Sequence, residues 1–390
     1  MKKVGIITGM AMSRSHGTGA QVLRIFQEGN LPFFHLYWTS IYWGRSECSG
    51  SFCLEDPRYW PWRRGRGFIT WLQRLTRLSW WQGNQIDPGK IQALIQAEQL
   101  FCDVAYVVVV SEDEAQRAVS LLKHLACPYV VNIMDIVHAD GLNPADMPGF
   151  RQLLTQAAEV LSLNQAIKAE VEKFGISHME ILPFAQDVTQ PTLAAPKPGL
   201  PLRIVMVGAV HDRGLQLLTQ TWSSLVQHYP KVELVYLGRH FHTLPPFLQK
   251  VTQHPGMVSV ETYNSILATC HLAYLTGPSE LNCFGRFSIP SRLSDFFMVG
   301  LPVLACVALG SATKQFLDPL VPHCVRYTNK SSELLQAIED FTSSEKRWQA
   351  ASQQACTFAL ENLSLDVVRT RILERLASAC KQGSHLKIDV

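Results

Sequence analysis

"LTGPSELNCFGRFSIPSRLSDFFMVGLPVLA" (Leu275–Ala305) reads as a strand end, a polar loop, a helix and the approach to another strand. Pro290 stands near the first helical position, where its missing N–H costs little and its φ is already set. Ser291 and Arg292 fall at the electropositive helix start, where anions are favoured. Asp295 follows Ser291 by one turn and shares its face. Gly300 then ends the helix and Pro302 leads into an apolar run. A helix start that favours an anion, with a carboxylate one turn deeper to accept from hydroxyls, fits a nucleoside diphosphate. The plainer reading is a helix start with an exposed charge, and this segment alone does not decide between the two.

Outward from it, short apolar runs alternate with helical patterns, the grammar of parallel sheets built from strand–helix units. In the first half, strands are expected at Val4–Thr8, Phe33–Trp38, Ala105–Val110, Tyr129–Met134 and Val160–Leu163. Helical patterns fall near Thr18–Glu28, Pro88–Leu100, Glu114–Leu125 and Gln165–Phe174. "AYVVVV" is continuous β-branched sequence, as a strand covered on both faces requires. The rhythm breaks at "DVTQPTLAAPKPGLP" (Asp187–Pro201), which is rich in Pro and reads as a linker. It restarts with strands expected at Leu202–Gly208, Val232–Leu237, Val258–Val260, His271–Leu275, Pro302–Cys306 and Cys324–Tyr327. The expected fold is therefore α/β, with two Rossmann-like domains facing each other across a cleft. The N-terminal domain spans 1–186, the linker 187–201 and the C-terminal domain 202–365, and a last helix in 366–390 packs back toward the first domain.

A chain of 390 residues is long enough for two cores. Hydrophobic residues make up 47% and charged ones 17%, which excludes a disordered chain, and a net charge of +3 does not point to nucleic acid. Ten cysteines are scattered without a CxxC pair or a histidine cluster at zinc spacing, so a reducing, cytoplasmic compartment is expected and no metal. The apolar run in "MKKVGIITGMAM" is short and lacks a small-residue cleavage pattern, so it reads as a first strand rather than a signal peptide. No stretch approaches the ~20 apolar residues of a membrane-spanning helix.

Three further segments carry candidate site residues. In "GMAMSRSHGTGAQ" Gly17 and Gly19 open a helix and allow a phosphate or sugar close to the backbone, although glycine-rich loops of this kind are common after a first strand. In "VMVGAVHDRGLQLL" Gly208 ends a strand and Arg213 starts a helix, a fork of donors beside helix N–H groups. In "VVNIMDIVHADGLNP" Asp135 and His138 follow a strand, and a lone loop histidine is as readily structural. The acids of "SEDE" (Ser111–Glu114) read as a helix cap.

With these segments in view, the chain resembles a retaining glycosyltransferase of the GT-B fold, in the large family four. The resemblance rests on "VGAVHDRG", on the crossing strand "ILPFAQDV" (Ile181–Val188), on "PSELNCFG" and on "SDFFMVGLPVLA". It implies that Asp295 holds the nucleotide ribose and that Arg213 sits on the diphosphate. It places Glu280 and Asn282 in the sugar-side loop, with Asn282 where the family has the first glutamate of its pair. Ala209 stands where many members have an arginine, and extra residues separate Gly285 from Asp295. Pro290-Ser291-Arg292 matches the branch with a "P-S-K" version of this helix. Asp135, His138 and Asn282 are then the candidate catalytic residues. Gly17, Gly19, Gly208, Arg213, Glu280, Ser291, Arg292 and Asp295 are the candidates for donor binding.

The stretch "RYWPWRRGRGFITWLQRLTRLSWWQGN" (Arg58–Asn84) has no acidic residue, and Phe68, Trp71, Leu72, Leu75 and Leu78 recur at helical spacing. Trp and Arg together suit an anionic bilayer surface, so residues 59–81 are a candidate membrane-leaning arm, the alternative being a packed amphipathic helix. No nucleic-acid partner is expected. The expected activity is metal-independent transfer of a sugar from a nucleotide-sugar donor to a sugar, lipid-linked or other acceptor, without a cofactor, in the cytoplasm or at the inner face of a membrane. The rivals are a nucleotide-sugar epimerase of the same fold and a non-catalytic relative that binds a nucleotide sugar or a partner.

Overall fold

The computed structural model describes residues 1, 3–9, 12, 17–27, 31–38, 48, 50–54, 88–138, 140–187, 195–196, 200–278 and 280–383. The arm at 59–81 and most of the linker at 187–201 lie outside the described residues. The chain divides into two compact units, one made of Met1–Leu163, Ile167–Leu182 and Thr370–Val390, the other of Asn164–Ala166 and Pro183–Arg369.

The first unit begins with β1 (Val4–Thr8), α1 (Gly17–Gln27), β2 (Phe33–Tyr37), β3 (Ser51–Cys53) and α2 (Pro88–Ala97). It continues through β4 (Val104–Val109), α3 (Glu112–Leu125), β5 (Tyr129–Ile133), α4 (Pro148–Thr155), β6 (Glu159–Ser162), α5 (Gln165–Glu172) and β7 (Glu180–Ile181). Its sheet has the order β3-β2-β1-β4-β5-β6-β7, and every pairing is parallel. All six residues of β4 are buried, as a continuous β-branched run between two layers of helix must be.

The second unit opens with β8 (Leu202–Val207), α6 (Asp212–His228), β9 (Val232–Leu237), α7 (Pro246–Val251) and β10 (Thr252–Gln253). Then come α8 (Val260–Leu267), β11 (Leu272–Thr276), α9 (Cys283–Phe287), α10 (Arg292–Met298), β12 (Val303–Cys306), α11 (Ala312–Leu317) and β13 (Val325–Tyr327). The chain finishes with α12 (Ser331–Thr342), α13 (Glu345–Asn362) and α14 (Leu365–Gly383). Its parallel sheet runs β10-β9-β8-β11-β12-β13. Within the first unit, Arg375 of α14 donates to Glu180 at 2.7 Å.

One expected strand is corrected. Val258–Val260 is not a strand: Ser259 accepts from the Thr262 N–H at 3.2 Å and caps α8, while the edge strand is β10. A serine N-cap followed by Glu261 in the first turn outweighs the apolar alternation of two valines. The expected cap at Ser111 is present, its hydroxyl accepting from Glu114 N at 3.3 Å. The Glu114 carboxylate reaches one residue further back than a capping box does, taking the Val110 N–H at 2.8 Å.

Two titrating groups, the buried His35 and the part-buried Glu114, flank β1. His35 shares hydrogen bonds with Thr8 Oγ1 (2.8 Å) and Ser51 Oγ (3.2 Å), and burial lowers its imidazole to about 3. Glu114 lies where a side chain on Gly9 would stand, and burial pushes its carboxyl up to about 7. The signs are opposite. His35 titrates lower in the folded than in the unfolded chain, so its stabilisation is complete above about 6.5 and is lost as pH falls toward 3. Glu114 titrates higher in the folded chain, so its stabilisation is complete below about 4.5 and is lost as pH rises through 7. Between those limits the slopes cancel. Urea unfolding of His35→Gln should therefore show stability falling from pH 4.5 to 7, and of Glu114→Gln stability rising over the same interval, each by up to about 1.4 kcal/mol per pH unit. Parallel profiles for the two variants would refute this assignment.

Candidate functional site

The carboxyl ends of β8, β9 and β11 meet around one glycine. Gly208 has φ +70°, a conformation that a side chain penalises. Its N–H donates to Leu237 O at 2.8 Å, and its carbonyl accepts from Tyr236 Oη at 2.8 Å. A Cβ at Gly208 would stand 3.3 Å from Arg292 Nη1, so the guanidinium passes over bare backbone. Arg292 Nη2 donates to Thr276 O at 3.0 Å, and burial lowers this arginine only to about 10, which leaves it charged at neutral pH. Thr276 Oγ1 in turn accepts from the His211 N–H at 2.9 Å, at the N-cap of α6. Burial and the neighbouring Arg292 charge lower the His211 imidazole. Arg213 is exposed in the first turn of α6, and Gly214 behind it packs against Thr276.

Asp295 projects from α10 into a small network, accepting from Tyr263 Oη of α8 at 2.8 Å and from Gln186 Nε2. The segment that carries Gln186 is itself pinned. Phe184 O accepts from Ser294 Oγ at 3.2 Å, and Gln186 exchanges backbone bonds with Leu363 and Leu365 at 2.9 Å each. At the far end of α10, Gly300 has φ +77° and donates to Phe297 O, while Leu301 donates to Phe296 O, the two bonds of a Schellman stop. A Cβ at Gly300 would meet Ser352 and Cys356 of α13 at 2.7 and 2.8 Å, so only glycine lets α10 end against that helix. Ser291 is the N-cap of α10 with a helical backbone, and its hydroxyl makes no capping bond.

The loop that carries Glu280 and Asn282 is built around a helix cap. Asn282 caps the short α9, its Oδ1 accepting from Gly285 N at 3.0 Å, and both Glu280 and Asn282 are exposed. In the first unit Gly17 and Gly19 lie in the first turn of α1. Asp135 and His138 follow β5. Asp135 Oδ1 accepts from Ile136 N at 2.9 Å, and His138 Nε2 accepts from Glu112 N at 3.4 Å, which leaves Nδ1 as the ring's donor. The Glu112 carboxylate is occupied with the N–H groups of Gly149 and Phe150 (2.7 and 3.0 Å), capping α4.

Gly208, Arg213, Arg292 and Asp295 thus sit at one edge of the second sheet, whereas Gly17, Gly19, Asp135 and His138 belong to the first unit. Sequence reading missed Tyr236, Thr276, Tyr263 and Gln186. Gln186 lies within the quoted crossing segment, and Tyr263 was hidden by reading the start of its helix as a strand. Phe241 stacks against Tyr236 (6.3 Å) and His254 (4.3 Å), an aromatic group that no motif announced. Among the described residues no group of three or more His, Cys, Asp or Glu could hold a metal ion.

No protein-family model matches the chain, and no curated protein matches it. Solved structures do. HepE of Anabaena in complex with UDP superposes with a TM-score of 0.64 at 13% identity, covering 97% of this chain and 100% of that one. A glycosyltransferase from Rickettsia africae gives 0.65 at 11% identity over 98% and 100%. A putative UDP-N-acetylglucosamine 2-epimerase from Listeria monocytogenes gives 0.56 at 11% identity over 98% and 97%. The chain therefore has the α/β architecture of GT-B glycosyltransferases, a fold that it shares with this epimerase as well.

The Gly208 geometry carries a stability test. Gly208→Ala should cost about 1–2 kcal/mol in urea unfolding, from the left-handed backbone and the crowding of Arg292. An unchanged midpoint would show that the backbone there relaxes freely.

Proposed function

We propose that the protein is a retaining glycosyltransferase that moves a sugar from a nucleoside diphosphate-sugar to an acceptor, with the donor nucleotide on the second unit. The observation that carries this reading is the convergence of Arg292, Gly208 and Thr276 at the start of α6. There a desolvated guanidinium, Arg213 and the first N–H groups of a seventeen-residue helix offer positive potential to a diphosphate. Groups already fixed and desolvated stabilise a departing diphosphate without reorganising, which is the main electrostatic route to lowering such a barrier. Asp295, held by Tyr263 and Gln186, accepts from the ribose hydroxyls. UDP is the first nucleotide to test, since HepE was solved with UDP and with UDP-glucose. Glu280 and Asn282 are assigned to the donor sugar, and Asp135 and His138 of the first unit to sugar or acceptor contacts.

Thermal-shift titration with UDP, ADP, GDP and their sugars tests the donor assignment. A ligand at a hundred times its dissociation constant should stabilise by about 2.7 kcal/mol. Asp295→Ala should raise the dissociation constant of the bound nucleotide roughly tenfold or more, the worth of a charged hydrogen bond, and Tyr263→Phe by less. Unchanged affinity in a folded Asp295→Ala would move the nucleotide elsewhere.

The likeness to a 2-epimerase and the capping role of Asn282 favour a second reading, an epimerase or a binding protein without turnover. Incubation of a nucleotide sugar with and without acceptor separates them. Conversion of the donor alone to its epimer identifies the epimerase, acceptor-dependent release of nucleotide identifies the transferase, and binding without either identifies the non-catalytic relative. Charge neutralisation is assigned to Arg213, Arg292 and helix ends, so transfer should persist in excess EDTA, and loss restored by magnesium or manganese would overturn that assignment. The basic, tryptophan-rich stretch 59–81 supports an acceptor at an anionic membrane surface. No helix among the described residues is long and apolar enough to cross a membrane.

A further inference from the structure

We propose that Cys102 and Cys127 form a peroxide-responsive thiol pair that closes to a reversible intrachain disulfide, a modification site independent of the proposed transfer reaction. Cys102 precedes β4 and Cys127 precedes β5, neighbouring parallel strands in which Ala105 pairs with Tyr129. Both thiols therefore lie at the amino edge of the first sheet, opposite the edge that bears Asp135 and His138. Their Sγ atoms are 3.4 Å apart and share a hydrogen bond. A disulfide requires about 2.05 Å, so the sulfurs need to close by roughly 1.4 Å, within the reach of side-chain rotation and small loop shifts.

The surroundings assign different roles to the two sulfurs. Cys102 Sγ occupies the space that a side chain on Gly5 would take, 2.8 Å from that missing Cβ. The hydrogen bond from Cys127, one from the Gly5 backbone and the charge of Lys3 favour its thiolate, against burial and the carboxylate of Asp103. Cys127, donating to Cys102 and part-buried, is pushed the other way and keeps its proton. Burial raises the thiols of Cys270 and Cys324 to about 11 and about 12, so those remain unreactive by comparison. Both members of the pair are partly exposed, which admits a small peroxide.

The chemistry balances with hydrogen peroxide as oxidant. The Cys102 thiolate attacks one peroxide oxygen, the O–O bond breaks, and a sulfenic acid and, after protonation, water result. Cys127 sulfur then attacks the sulfenic sulfur, and the hydroxyl leaves as a second water with the Cys127 proton. Two thiols lose two electrons, and one peroxide is reduced to two waters.

Peptide mapping of the full chain tests this after limited hydrogen peroxide treatment at neutral pH and alkylation. The expected product is a Cys102–Cys127 linked peptide pair, two hydrogens lighter than its thiol components and separated by dithiothreitol. It should form on the order of tenfold faster than any oxidation at Cys270 or Cys324. In Cys127→Ser the reaction should stop at Cys102 as a sulfenic acid trapped by dimedone; if that variant does not fold, the map of the unaltered protein decides alone. Full alkylation of both thiols while other cysteines oxidise, or a link from either to a different cysteine, would overturn the proposal.

Discussion

A guanidinium taken out of water must be given acceptors and room, and much of the edge of the second unit follows from meeting that demand at Arg292. Its hydrogen bond to Thr276 O fixes it to the end of β11. Its passage over Gly208 crowds any side chain at the end of β8, and the left-handed turn there is closed by Tyr236 Oη from β9. Thr276 also receives the His211 N–H, which sets where α6 begins. One part-buried charge thus ties three strand ends and a helix start into a single arrangement. Burial and then the same charge lower the neighbouring His211 imidazole.

The orientation of α10 is the complementary constraint. A helix of two turns has little intrinsic stability and is held by tertiary contacts rather than propensity. Here the contacts act at both ends: Gly300 closes the C-terminus against α13, and Ser294 Oγ holds the chain segment at Phe184. Between them Asp295 is kept in place by Tyr263 and Gln186, whose donors offset the cost of an ordered, part-buried carboxylate. Arg292 and Asp295 lie on the same short helix, so the stop at Gly300 positions the cation and the carboxylate together.

Local signals explain what was legible in the sequence. The short apolar, β-branched runs place β1, β4, β5, β9 and β12 within a residue or so, because a strand covered on both faces needs a continuous apolar run. The glycines at the ends of β8 and α10 were readable for the same reason, since a positive φ restricts the residue type. Tyr263 and Gln186 were not readable: their significance comes from meeting Asp295 across 32 and 109 positions of chain, and no local pattern encodes that. The error at Val258–Val260 follows from two apolar residues flanking a serine, an alternation that is equally a strand and the threshold of a capped helix.

Asn282 serves a local structural role. An N-cap must offer an oxygen to the free N–H groups of the first turn, and the asparagine amide does so toward Gly285. An asparagine here brings no charge, whereas a glutamate would add one to a loop that already carries Glu280. The edge of the second unit then combines the guanidiniums of Arg213 and Arg292 with the carboxylates of Asp212, Glu280 and Asp295, of which Asp295 is already held by two donors. Asn282 thus gives this exposed loop a neutral amide, which donates as well as accepts, beside the carboxylate of Glu280.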